Sequence, residues 1–134
     1  MARVCVPVCV RQIDELHDAM NTAADVADIV ELRADCLADA DPGRLSQIAA
    51  TSGRRMVVTL RSPEQGGHSA IDHEARRRFW ADLKSLPTNS FIDLELDLVE
   101  EFSRNQFTKK LPVEWRQVIC SHHDFDRVPD EIMM

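Results

Sequence analysis

Five short apolar runs alternate with stretches of helical periodicity, and this alternation constrains the fold more than any other feature of the chain. The runs are rich in β-branched residues and occupy positions 4–10, 29–33, 56–60, 91–96 and 118–120. Between them, apolar residues recur at helical spacing, as in Ile71, Ala75 and Phe79. Strands and helices that alternate at this length predict right-handed βαβ units and a parallel sheet.

Capping residues indicate where one helix begins and ends. Asp41 is a suitable N-cap, Pro42 suits the first helical position, and Gly53 suits the residue after the last turn. Apolar periodicity predicts four other helices. The first contains Ile13, Leu16 and Met20, and another spans 69–86. A further helix contains Val99, Phe102 and Phe107, and the last begins at 126.

Two architectures fit five βα units. The 134 residues match a single domain of common size, and an open, doubly wound sheet would be complete at this length. The same units could instead be the first five of a (βα)₈ barrel, which needs about 250 residues. A dinucleotide-binding fold should have a glycine-rich turn after the first strand, and residues 10–13 contain no glycine.

Charge and hydropathy exclude several classes of partner. The net charge is −7, which disfavours nucleic acids and anionic membrane surfaces. No run approaches the ~18 apolar residues of a membrane helix. The first residues enter a strand-like run without a signal-peptide pattern, so we expect a cytoplasmic protein.

The cysteines lack the spacing of a metal site. Cys5, Cys9, Cys36 and Cys120 form no CxxC pair, and three of them lie in or beside apolar runs. We therefore expect buried, reduced thiols. The adjacent His122 and His123 would point to opposite faces of a strand, so they predict no metal site either.

Charged residues stand at or just beyond the ends of four apolar runs. In a parallel sheet these ends lie at one edge, where βα-barrel enzymes build their active sites. Glu95 and His123 follow consecutive strands, so we expect them to be neighbours, with the carboxylate orienting the imidazole. The charged groups are Glu31 and Arg33, Arg61, Glu95, and His123. They could instead be structural ion pairs.

These runs resemble one family, type I 3-dehydroquinate dehydratase, in both order and spacing. The motifs that carry the resemblance are Val4-Cys5-Val6-Pro7-Val8, Asp28-Ile29-Val30-Glu31-Leu32-Arg33-Ala34-Asp35, Thr59-Leu60-Arg61 with Gly66-Gly67, Ile92-Asp93-Leu94-Glu95-Leu96, and Ser121-His122-His123-Asp124-Phe125. The resemblance covers nearly the whole chain, 1–134, but only the N-terminal half of the family's barrel. It implies an α/β fold that is a partial (βα)₈ TIM barrel of about five parallel units.

The resemblance also implies a function in the shikimate pathway. The expected activity is that of a lyase, which converts 3-dehydroquinate to 3-dehydroshikimate and water through a Schiff base. His123 matches the general acid/base and Glu95 the acid that hydrogen-bonds to it. Glu31, Arg33 and Arg61 match substrate-binding positions. No metal or cofactor is implied.

Two departures from the family pattern bear on activity. Gln65 stands where the family usually has glutamate, and we expect mild consequences from this change in a loop. The Schiff-base lysine should lie on a sixth strand, and none of Lys84, Lys109 and Lys110 matches it. The expectation is therefore a truncated chain that lacks the parent activity.

Two alternative hypotheses remain beside that of a truncated enzyme. One is a non-catalytic relic or regulatory module of the same fold that binds a small molecule. The other is an unrelated open-sheet binding protein. On the barrel reading, the first and fifth strands would be sheet edges, so we expect self-association, most simply as a homodimer.

Overall fold

A computed structural model describes residues 2–104 and 111–126 of the chain. Within these ranges the strands are β1 (Cys5–Val8), β2 (Ile29–Arg33), β3 (Met56–Thr59), β4 (Phe91–Glu95) and β5 (Val118–Ser121). The α-helices are α1 (Leu16–Ala24), α2 (Pro42–Ser52), α3 (His73–Asp82) and α4 (Leu96–Arg104). Short 3₁₀ turns occupy Ile13–Glu15, Ala34–Cys36, Pro63–Gln65 and Trp115–Gln117.

The strands form one parallel sheet in the order β1-β2-β3-β4-β5. Each described strand pairs only with its neighbours in sequence. A doubly wound sheet reverses its strand order at a switch point, and this sheet does not. The consecutive order is that of a (βα)₈ barrel, so the predicted partial barrel is confirmed and the open doubly wound sheet is wrong.

Alternate residues of each strand face two different environments. One face of the sheet packs against the helices and forms the core, which includes Val30 and Leu32 of β2 and Ile92 and Leu94 of β4. We call the opposite face the inner face. Its polar residues come to lie on one face because strand positions two apart share a side, and pairing in register extends that side across the sheet. The inner face includes Glu31, Arg33, Thr59, Asp93, Glu95 and Ser121.

The predicted boundaries of α2 are confirmed. The Asp41 side chain accepts hydrogen bonds from the backbone N–H groups of Gly43 and Arg44, at 2.8 and 3.3 Å. Pro42 is the first helical residue, and Gly53 ends the helix with φ of 63°. The N–H groups at the start of this helix are thus satisfied by a side chain, as an N-cap requires.

Helix α3 is shorter than the predicted span 69–86. Asp72 caps its start by accepting from the N–H of Ala75 at 2.8 Å. Its end comes early because Leu83 is extended and the N–H of Lys84 donates to Ser46 Oγ of α2 at 2.9 Å. Phe107 and positions 127–134, which the predicted fourth and fifth helices include, lie outside the described residues.

The prediction of buried, reduced cysteines is wrong. Cys9 and Cys36 form a disulfide, with their Cα atoms 5.3 Å apart. Cys9 directly follows β1 and Cys36 closes the turn after β2, so two neighbouring parallel strands deliver both to one edge of the sheet. Cys5 and Cys120 are free thiols but exposed, because they lie on the two outermost strands of the described sheet.

None of the described helices has the length and apolar character needed to cross a membrane.

Candidate active site

The carboxyl end of the inner face brings the predicted site residues to one edge of the molecule. Glu31 and Arg33 lie on β2, and Glu95 is the last residue of β4. Arg61 and His123 each follow the end of a strand by two residues. Four of them therefore lie at the same end of the sheet, as expected for parallel strands, and Glu31 lies two residues before the end of β2.

Arg33 is held by the carboxylate of Asp35, to which the family resemblance gave no role. Its Nε and Nη2 atoms donate to Asp35 Oδ1 and Oδ2 at 3.0 and 2.8 Å. The Asp35 side chain is fully buried and also accepts from the backbone N–H groups of Arg61 and His68. Burial alone would raise the pKa of Asp35, but the hydrogen bonds and charge of Arg33 outweigh it and lower that pKa. Asp35 is thus a buried, ionised carboxylate that fixes the guanidinium of Arg33.

The other two predicted binding residues also have partners on neighbouring strands. Glu31 Oε2 accepts a hydrogen bond from Thr59 Oγ1 at 2.7 Å. Arg61 Nη2 lies 3.7 Å from Asp93 Oδ2, close enough for an ion pair. The first contact joins β2 to β3, and the second joins the segment after β3 to β4.

The expected hydrogen bond between Glu95 and His123 does not form among the described residues. Glu95 accepts from the N–H and Oγ of Ser62 at 3.0 and 2.7 Å, and from Arg76 Nη1 at 3.0 Å. Arg76 also donates to Asp97 Oδ2 at 2.7 Å. Glu95 is only 2% exposed, so these partners occupy it inside the protein. Its position ties the end of β4 to the β3–α3 loop and to α3.

The imidazole of His123 has an unused hydrogen-bonding atom. The backbone N–H of His123 donates to Gln65 Oε1 at 2.8 Å, which places the residue against the β3–α3 loop. In the described structure its Nδ1 atom is buried without a partner, as are Asp93 Oδ1 and Ser121 Oγ. Buried polar atoms normally have partners, and such unpaired atoms require an explanation. Two of these three atoms belong to inner-face residues, and the third belongs to the histidine just beyond β5.

Sequence reasoning missed several residues of the site. Thr59, Asp93 and Ser121 could have been found by extending the alternation that groups Glu31 with Arg33 to the neighbouring strands. Ser62 and Gln65 carry no such signal, because they lie in a loop and reach their partners across 33 and 58 residues.

Lys84 lies far from this edge in the fold. It follows α3, which returns from the carboxyl end of the sheet to the amino end, and it is exposed there. Lys109 and Lys110 lie outside the described residues. A groove of about 890 Å³ also lies at the amino end, lined in part by Arg3, Arg55 and Trp115. It contains none of the predicted site residues.

The fold and the site define a class of protein: a βα-barrel with its polar residues at the carboxyl ends of the strands. The sequence profile described as type I 3-dehydroquinase matches residues 4–134. The chain therefore belongs to the type I 3-dehydroquinase family.

Relatives in sequence and structure carry the same description. A 3-dehydroquinate dehydratase of Streptococcus mutans is 27% identical over 133 residues, covering 98% of this chain and 56% of that protein. The 3-dehydroquinate dehydratase of Methanocella arvoryzae is 32% identical over 126 residues, covering 92% of this chain and 54% of its own length. The chain thus spans just over half the length of these relatives.

Solved structures of 3-dehydroquinate dehydratases share the fold. The enzyme from Enterococcus faecalis superposes with a TM-score of 0.72 at 16% identity, covering 98% of this chain and 57% of that one. The enzyme from Aquifex aeolicus superposes with a TM-score of 0.65 at 23% identity, covering 98% of this chain and 58% of that one. At these identities the likeness establishes the fold alone.

Proposed function

We propose that this chain carries the substrate-binding and proton-transfer face of a 3-dehydroquinate dehydratase. The observation that carries the proposal is the polar inner face, which includes Glu31 and Arg33, with Arg61 and His123 just beyond the same end of the sheet. A small polyhydroxylated ketone matches the donors and acceptors of this face. The setting is the shikimate pathway, in the cytoplasm.

His123 is the acid/base in this proposal. It takes the proton from the carbon next to the substrate carbonyl and then returns a proton to the departing hydroxyl group. A C–H and a C–O bond break, a C=C bond forms, and water leaves. The electron sink that stabilises the intermediate carbanion would be a Schiff-base lysine on the expected sixth strand, since none of the lysines of this chain matches that position. The unpartnered Nδ1 of His123 leaves the ring able to form one hydrogen bond more than the described residues supply.

Glu31, Arg33 and Arg61 bind and orient the substrate. The pairs Glu31–Thr59 and Arg33–Asp35 hold two of these side chains in place before any ligand arrives, which lowers the entropy lost on binding. In this proposal Glu95 acts through Ser62 and the loop that contacts His123, as a positioning residue.

The acid/base proposal is tested in a fusion of this chain with the remaining barrel units of a relative. His123→Ala should lower kcat by about 100-fold or more, the usual worth of a general base. The matched control is His122→Ala, since that side chain is exposed and neighbours the same strand end. Equal decreases in kcat for the two substitutions would contradict the assignment of His123 as the acid/base.

The same chemistry predicts that the chain 1–134 by itself does not turn over 3-dehydroquinate. Lys84 is exposed at the amino end of the sheet, away from His123. Treatment with substrate and borohydride should therefore leave the mass of the protein unchanged. A stoichiometric adduct on Lys84, Lys109 or Lys110 would contradict this assignment.

A second candidate is a non-catalytic module that binds a small molecule. It is favoured by the ready-made pairs on the inner face, which need no lysine to bind a polar ligand. Calorimetry with 3-dehydroquinate tests it. Saturable binding by 1–134 that Arg61→Ala abolishes, together with a fusion that is inactive, would favour the module over the enzyme.

A further inference from the structure

Three metal-binding side chains meet beside the candidate active site. The sulfur atoms of Cys9 and Cys36 and a ring nitrogen of His68 all lie within 4.8 Å of one another, the one such group of three among the described residues. They come from three separate segments, which follow β1, β2 and β3. The cluster is therefore a product of the fold, and no local sequence motif announces it.

Backbone contacts hold the three segments together. The N–H of Ala38 donates to the carbonyl oxygen of Arg11 at 2.8 Å, which joins the segments of Cys9 and Cys36. The N–H of His68 donates to Asp35 Oδ2 at 3.2 Å, which holds the third segment against the turn containing Cys36.

The chain is also closely packed immediately before His68. A Cβ atom on Gly67 would lie 2.0 Å from the carbonyl oxygen of Arg61, so only glycine fits there. The N–H of Gly67 donates to the carbonyl oxygen of Ser62 at 2.9 Å. Contacts within the loop therefore help to fix the position of His68.

Two thiolates and one imidazole are a common set of zinc ligands. In a tetrahedral site, Zn–S bonds of ~2.3 Å and Zn–N bonds of ~2.0 Å place the ligand atoms roughly 3.5–3.8 Å apart. In the described structure the His68 ring nitrogen lies within 4.8 Å of both sulfur atoms, at most about 1 Å beyond that range. The two sulfur atoms are bonded to each other and must move apart on reduction to reach it. Three protein ligands leave a fourth position for water, as in zinc sites that are not purely structural.

We propose that Cys9, Cys36 and His68 bind a zinc ion when the cysteines are reduced, and that the disulfide is the metal-free oxidised form. A thiol or phosphine reductant supplies two electrons, and two protons from water convert the disulfide to two thiols. Binding of Zn²⁺ then displaces both protons, so each cysteine binds as a thiolate. A two-electron oxidant such as a peroxide or a second disulfide takes two electrons from the thiolates, which re-forms the Cys9–Cys36 bond and releases the ion.

The remaining two cysteines are poorer ligands. Partial burial raises the pKa of Cys5, with a smaller contribution from Glu31, and burial also raises that of Cys120, with a smaller contribution from Asp93. Both thiols therefore hold their protons more tightly than an ordinary cysteine, and neither belongs to a group of three donors among the described residues. They serve as internal controls.

The site adjoins the substrate-binding face through one residue. Cys36 directly follows Asp35, which holds Arg33 by two hydrogen bonds. The metal site would therefore lie one residue away from the carboxylate that holds Arg33. The zinc proposal does not depend on the catalytic role of His123, so failure of one leaves the other standing.

Metal titration tests the proposal. The chain is reduced with a phosphine, which competes little for metal, and titrated with Co²⁺ and then with Zn²⁺ against a chromophoric chelator. One Co²⁺ per chain should bind with thiolate-to-cobalt charge-transfer absorption, and Zn²⁺ should displace it. The oxidised protein should bind neither ion at the same concentration.

Variants locate the ligands. Cys36→Ser and His68→Ala should each weaken Zn²⁺ binding by at least about 100-fold, since even changes beyond the ligands cost 10–100-fold. His68→Ala leaves the disulfide intact, so it remains informative if loss of Cys36 impairs folding. Cys5→Ser with Cys120→Ser should leave affinity and stoichiometry unchanged. Reduced protein that binds no metal, or variants of Cys36 and His68 that bind as the parent does, would overturn the proposal.

Discussion

Replacement of Asp35 by asparagine should strongly destabilise the chain. Asp35→Asn keeps the shape of the side chain but removes its charge and turns one acceptor into a donor. The Asp35 carboxylate accepts two hydrogen bonds from Arg33 and one each from the N–H groups of Arg61 and His68. An amide in this position must direct N–H groups toward other N–H groups.

The magnitude follows from burial. Asp35 has no exposed side-chain surface and Arg33 is only 13% exposed, so the substitution leaves a largely buried guanidinium without its counter-ion. Loss of one partner of a buried pair costs about 3–5 kcal/mol. The change should also loosen the β3–α3 loop, because Asp35 is the acceptor for the N–H of His68.

The pH dependence has a definite sign. The pKa of Asp35 is lowered in the folded chain, so the unfolded chain binds the proton more readily. The stabilisation is fully present above the unfolded pKa of ~3.9 and is lost as pH falls through the lower folded pKa. The difference in unfolding free energy between parent and Asp35→Asn should therefore shrink below about pH 4.

Urea unfolding at pH 7 and at a series of acidic values measures both effects. The control is Asp14→Asn, because the Asp14–Arg44 pair is exposed and should contribute less than about 1 kcal/mol. A cost for Asp35→Asn as small as that of Asp14→Asn, or one independent of pH down to 2, would refute the reasoning.

Two further predictions concern the surface and the backbone. The chain 1–134 should self-associate at micromolar concentration in sedimentation experiments. Ile119→Lys should weaken this association, because Ile119 is 44% exposed on β5 and lysine disfavours edge pairing. A monomeric parent would contradict the expectation. Gly67→Ala should cost about 3 kcal/mol in chemical unfolding, at the upper end for overpacking, because its Cβ has no room. Gly53→Ala meets no atoms and should cost about 1 kcal/mol, from backbone strain alone, so equal costs would refute the steric argument.

Much of the fold could be predicted because the sequence signals are local. Apolar runs and capping residues located all five strands and the start of α2 at Pro42. The predicted order of strands in the barrel followed from the resemblance, since periodicity alone left two architectures open. The end of α3 was missed because Leu83 leaves the helix where Lys84 bonds to Ser46, a contact across 38 residues.

The site was less predictable because the hydrogen-bond partners of side chains at the strand ends come from distant parts of the sequence. Strands β4 and β5 are neighbours as expected, with Glu95 opposite Ser121. Nothing local indicates that Glu95 would instead bind Ser62 and Arg76 from the preceding βα unit. The disulfide was missed for a different reason. The cysteine spacing and the apolar runs around the cysteines favoured reduced thiols. The signal for the disulfide is positional, because Cys9 and Cys36 follow two neighbouring parallel strands.

The consecutive strand order has a consequence for synthesis on the ribosome. Each strand after β1 pairs with the strand made immediately before it, so every new βα unit finds its partner already outside the exit tunnel. Pairing between sequence neighbours requires only short loops to close, which favours rapid folding. The sheet can therefore grow from its amino-terminal strand as the chain emerges, one unit at a time.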